Sequence, residues 1–152
     1  MVKSIQIFVE GGGSGKARAQ LRTGLGRFLK KVGVTCRIVA CGGRDAAFDD
    51  WKRATLSSQR GEIKLLLVDS EEPVVAGFTP WRHLGTTDPS WQAPAESESQ
   101  CHLMVQTMEA WFLADPEALA AYYGQHFGAK ALPGRENVEQ IAKSDASASA
   151  LR

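Results

Sequence analysis

At 152 residues, 43% apolar and 23% charged, the chain has the make-up of one globular domain with a core that needs no staples, and its composition is neither collagen-like nor disordered. Eighteen basic against seventeen acidic side chains leave a formal charge of +1, so no overall field draws it to a polyanion or a membrane; nucleic-acid contact has to come from a local patch or a partner. Cys36, Cys41 and Cys101 lack paired CxxC spacing, which argues against a zinc site or a disulfide framework and fits small buried side chains in a reducing compartment.

Ile5 to Val9 is a short β-rich run that ends at Glu10 and the loop Gly11-Gly12-Gly13-Ser14-Gly15, the pattern of a buried parallel strand handing over to a helix. From Ala17 to Val32, Leu21, Leu25, Phe28, Leu29 and Val32 recur at spacings of three and four and predict an amphipathic helix ended by Gly33. Val34 to Ala40 reads as a second strand. After Gly42-Gly43, a helix from Asp45 to Leu56 places Phe48, Trp51 and Thr55 on one face. Ile63 to Val68 is the most apolar run; it is expected at the centre of a sheet, covered on both faces, and ends in Asp69-Ser70-Glu71-Glu72.

The stretch 73–100 carries Pro73, Pro80, Pro89 and Pro94 with no clear period and reads as a long irregular insertion. Its Trp81 and Trp91 are expected to pin it to the core or, as the sharper alternative, to stack on exposed bases. Cys101 to Gln106 reads as a fourth strand, followed by helical Met108 to Ala114 and a helix from Asp115-Pro116 to Gly124, with Asp115 as its N-cap. This alternation predicts an α/β domain over 1–132, with a mostly parallel four-stranded sheet and helices on both faces. Residues 133–152 read as a poorly specified tail. No apolar stretch is long enough for a signal peptide or a membrane span, and the expected location is the cytoplasm.

In an open parallel sheet, ligands bind at the C-terminal ends of the strands, the edge to which Glu10, the Gly42-Gly43-Arg44 turn, Asp69 and Glu71 belong. Asp69 and Glu71 are two apart, so an extended chain continuing past the strand tip would point both carboxylates the same way. Such hard oxygens suit Mg2+ or Mn2+, with Glu10 completing the shell or shuttling a proton and Glu109 or Glu72 adding a second ion. Lys16 and Arg44 are candidates for holding substrate phosphate. Against this stands the plainer reading that strand-end acids cap the next segment and that the two cations are solvated.

The glycine run is not a P-loop, because Glu10 and Ala17 stand where glycine and a hydroxyl residue are needed; Lys16 and Arg18 likewise break a dinucleotide fingerprint. The glycines are read as letting the backbone approach a phosphate. His83 and His102 are too scattered for a zinc set and are expected to be structural.

The strand ending in Phe8-Val9-Glu10-Gly11 and the later one ending in Val68-Asp69-Ser70-Glu71 resemble the Toprim domain of topoisomerases, primases and overcoming-lysogenization-defect nucleases. More closely, VEGGGSGK, CGGR, LLLVDSEEPV, the segment holding Trp81, Leu84, Asp88 and Trp91, and HLMVQTMEAWFLAD are similar to the bacterial domain-of-unknown-function family 4276, from Ile5 to Lys143. The resemblance implies a Toprim-like, Rossmann-like three-layer domain and a magnesium-dependent nuclease acting on nucleic acid through Glu10, Asp69 and Glu71. It also implies an ATPase partner and a place in mobile or antiphage islands. Two departures stand out. Glu71 replaces the second aspartate of most Toprim domains, and the chain stops at Arg152 where family members are expected to continue into a helical, basic segment. The rival expectation is a non-catalytic interaction subunit that keeps the fold and works with a partner ATPase.

Overall fold

The computed structural model describes residue 2 and residues 4–95, 97–126, 128, 132 and 137–150. Strands β1 (Ser4–Glu10), β2 (Arg37–Gly42), β3 (Glu62–Asp69) and β4 (Cys101–Met104) form one sheet in the order β2-β1-β3-β4, every neighbouring pair parallel. Helix α1 (Gly15–Lys31) joins β1 to β2, and α2 (Arg44–Leu56) joins β2 to β3. Then come α3 (Pro80–Thr87), α4 (Met108–Phe112), α5 (Pro116–Tyr123) and α6 (Lys143–Ala150). Among the described residues no helix is long and apolar enough to cross a membrane.

Strand alternation splits the sheet into two apolar faces. Phe8, Cys41, Leu66, Val68 and Cys101 point toward α2 and α3, where they meet Ala47, Phe48, Trp51 and Leu84. Ile7, Val9, Ile38, Ala40 and Met104 point the other way, toward Leu21, Leu25 and Leu29 of α1 and Met108 of α4. The result is a three-layer α/β domain of Rossmann-like form with β3 inside it, covered on both faces. A third, smaller core joins Ala110 of α4 to Ile141 and to Ala146 of α6.

Two expectations are corrected. Phe28 and Val32 do not join the half-buried stripe of α1 and stay more than half exposed, because the ridge 21-25-29 is what packs on the sheet. The stretch 73–100 is not irregular throughout, since α3 forms within it: the Thr79 hydroxyl accepts the Arg82 N–H at 3.3 Å and Pro80 takes the first helical position. Trp81 and Trp91 pin this stretch down, Trp91 lying flat on Phe48 at 4.4 Å between ring centroids and its indole donating to Asp45 at 3.0 Å. His83 is buried against the Ser70 carbonyl, 2.8 Å from Nε2.

Candidate metal centre

Glu10 closes β1 and Asp69 closes the neighbouring β3, so the parallel register brings the two acids together at the C-terminal edge of the sheet. Glu10 Oε2 accepts the Asp69 N–H at 3.1 Å. Asp69 is buried; its Oδ1 accepts the Met108 N–H at 2.9 Å, and its Oδ2 accepts the Thr107 hydroxyl at 3.1 Å. The chain does not stay extended past Ser70. Glu71 adopts a left-handed φ of 66° and donates its N–H to the Gln106 carbonyl at 3.0 Å. Simple alternation is therefore not what aims Glu71 at its neighbours. One carboxylate oxygen each from Glu10, Asp69 and Glu71 nevertheless lies within 4.8 Å of the other two.

Two cations enter this group. Arg44, the first residue of α2, donates through Nη1 to the Asp69 carbonyl at 2.6 Å and to Glu10 Oε2 at 3.2 Å, and stands 3.7 Å from Glu71. Lys143, the first residue of α6, donates to Glu71 Oε1 at 2.5 Å and to Asp69 Oδ2 at 3.4 Å.

The electrostatics follow from burial and crowding. Burial, then the charge of Asp69, pushes the Glu10 carboxyl above its ordinary range, against the pull of Arg44. Burial likewise pushes Asp69 up, with Glu109 adding to it, against the Met108 hydrogen bond and Lys143. Burial disfavours the charge on Lys143, but Glu71 and Asp69 outweigh it and hold the ammonium above the usual lysine range. Buried carboxylates that resist ionisation beside one another gain from any cation brought among them.

The sequence profile of the domain of unknown function DUF4276 matches residues 9–150. The chain belongs to the DUF4276 family. No curated protein and no solved structure matches it. The matched span takes in all three acids, Arg44 and Lys143, so the residues after 132 that touch the site lie within the DUF4276 domain.

The DUF4276 site offers carboxylate oxygens only, the donor type that hard divalent cations prefer, and the ammonium of Lys143 already rests on two of them as a stand-in cation. Glu109 lies outside the trio: its carboxylate is bonded to the Thr107 hydroxyl, which also bonds Asp69. A hydroxyl carries one proton and cannot donate to both acids at once, so Thr107 is shared between them. Lys16 is exposed at the second position of α1. Arg44 is already engaged, since its remaining nitrogens form a fork on Asp88.

Gly11 and Gly12 are engaged by the chain itself. Gly11 and Gly42 exchange backbone hydrogen bonds of 2.8 and 2.9 Å, tying the loop after β1 to the end of β2. Arg18 donates to the Gly12 carbonyl at 3.0 Å, and a Cβ on Gly12 would stand 2.8 Å from the Arg18 Cα. Gly13 and Gly15 have open space around them. Sequence reasoning missed Arg18, Thr107 and Lys143, and gave Asp88 no role. Thr107 and Asp88 lie inside the strings that carry the family resemblance, the one signal that could have marked them.

Proposed function

We propose that this DUF4276 domain hydrolyses phosphodiesters as a nuclease, using Mg2+ or Mn2+ held by Glu10, Asp69 and Glu71. The observation that supports it is the convergence of three carboxylates from two adjacent strand ends within 4.8 Å, two of them buried enough to have raised pKa values. When bound, such a cation offsets charge on the phosphoryl and leaving oxygens. The chain's own part is positioning: Arg44 fixes Glu10 and the end of β3, while Thr107 and the Met108 N–H fix Asp69. Glu10 Oε1 accepts no hydrogen bond among the described residues, and its raised pKa suits this carboxyl to carrying a proton. Of the two candidate cations for substrate phosphate, Lys16 is exposed and makes no ion pair among the described residues, whereas Arg44 can serve only by giving up an existing partner.

Nucleic acid as substrate, a place in phage defence or mobile elements and an ATPase partner are proposed on the Toprim and DUF4276 resemblance, and a cytoplasmic setting on the lack of an apolar stretch in the sequence that could serve as a signal peptide or membrane span. The test is nicking of supercoiled plasmid and cleavage of single-stranded DNA and RNA with Mg2+, Mn2+ or chelator, comparing wild type with Asp69→Asn and Glu10→Gln. Metal-dependent cutting lost in both variants sustains the proposal, and cutting by Asp69→Asn at the wild-type rate sinks it.

A second reading, a non-catalytic subunit that docks on a partner ATPase, is favoured by α5. Among the described residues that helix has no buried side chain and leaves Tyr122 83% exposed. Absence of cutting under every condition would move the assignment to it.

A further inference from the structure

Lys143 and Asp69 are separated by 74 residues of chain, yet the Lys143 ammonium bonds two of the three site acids. Arg44 is shared between these acids and Asp88, so Lys143 is the cation whose ion pairs fall on the site acids alone, and its departure leaves one more negative charge for an incoming cation to meet. The two cations are held differently. Arg44 has a side chain 15% exposed and locked by its fork on Asp88, whereas that of Lys143 is 38% exposed and has the acids as its partners. The segment that carries it packs through a small core, Ile141 and Ala146 against Ala110 with Leu113 and Val138 beside them, and Gln106 Nε2 donates to its Glu139 carbonyl at 3.1 Å.

We infer that Lys143 is a tethered counterion and that residues 137–150 form a latch over the acidic site, which a divalent cation releases by taking the Lys143 ammonium's place on Glu71 and Asp69. The inference rests on the reading of the three acids as a cation site. An ammonium and a metal ion cannot share the same oxygens at contact distance without strong like-charge repulsion. Entry of the cation therefore removes a contact between α6 and the sheet edge, and coupling runs both ways: whatever peels α6 away raises the affinity for the cation.

The experiment is calorimetric titration of Mn2+ into wild type, Lys143→Met and Asp69→Asn, together with amide hydrogen exchange of wild type with and without saturating Mn2+. Lys143→Met is expected to bind Mn2+ about tenfold tighter or more, as removal of a competing charge at contact distance implies. In wild type, Mn2+ is expected to speed exchange across 141–150 while leaving β1 and β3 protected; Asp69→Asn should not bind. Equal or weaker binding by Lys143→Met overturns the latch while leaving the metal site standing. Unchanged exchange across 141–150 at saturation does the same and needs no variant. Failure of wild type and Lys143→Met alike to bind Mn2+ overturns the metal reading, and the latch with it.

Discussion

Arg44 and Asp88, 44 residues apart, form a two-pronged ion pair, Nε to Oδ1 at 2.9 Å and Nη2 to Oδ2 at 2.6 Å. The fork aims the third nitrogen, Nη1, at Glu10 and the Asp69 carbonyl, so Asp88 positions the acids without touching them. Asp88→Asn would keep the shape and lose the charge. Losing charge-assisted bonds at a pair about 15% exposed should lower stability by about 2–3 kcal/mol. Urea unfolding measures this directly; a loss below about 0.5 kcal/mol would mean the fork is not an anchor.

The acids set the pH response. Glu10 and Asp69 have folded pKa values raised above their ordinary 4.5 and 3.8. The folded state then binds protons more tightly than the unfolded one, so these two groups make stability rise as pH falls from neutral through their folded pKa values. Asp88 acts the other way, because Arg44 and Thr87 outweigh its burial and hold it below 3.8; its contribution is present above that value and is lost as pH falls through the folded pKa. Unfolding free energy measured from pH 7 downward should therefore climb before acid denaturation sets in. The climb should flatten in Glu10→Gln.

Much of this site was legible before any coordinates. Apolar runs ending in acids at the tips of alternating strands are a local pattern, so Glu10 and Asp69 could be placed from parallel-sheet logic alone. Glu71 was found by spacing, but its left-handed backbone depends on the hydrogen bond to Gln106, a contact across 35 positions that no periodicity encodes. Lys143 sits beside an Ala- and Ser-rich stretch without a strong period, and its role exists only because Ile141 and Ala146 dock on α4. Phe28 and Val32 show the converse limit: an apolar spacing permits burial, and the neighbouring layer decides whether it happens.

The glycines separate cleanly by their neighbours. Gly12→Ala forces a side chain into a φ of 75° and against the Arg18 backbone at 2.8 Å, so it should cost about 2 kcal/mol or more. Gly42→Ala meets only the flexible end of Arg18 but keeps a φ of 86°, and should cost about 1–2 kcal/mol. Gly13→Ala meets nothing within 4 Å and should stay within about 0.5 kcal/mol of wild type. Thermal melts of the three variants check the order; equal losses would show that the loop after β1 is not held against Arg18.

Glu109 decides how many cations the centre takes. It was expected as a metal ligand, and it stands beside Asp69 through the shared Thr107 hydroxyl, yet outside the trio whose oxygens lie within 4.8 Å. If the trio is the cation site, Glu109→Gln should leave one Mn2+ bound per chain and weaken it by roughly 10-fold, the scale of losing a supporting residue. Asp69→Asn should cost more than the roughly 100-fold upper end of that scale, because it removes a central oxygen donor. Titration of both variants against wild type measures stoichiometry and affinity together. Two ions in wild type falling to one in Glu109→Gln would instead make Glu109 a ligand in its own right, reached by a turn of its side chain away from Thr107.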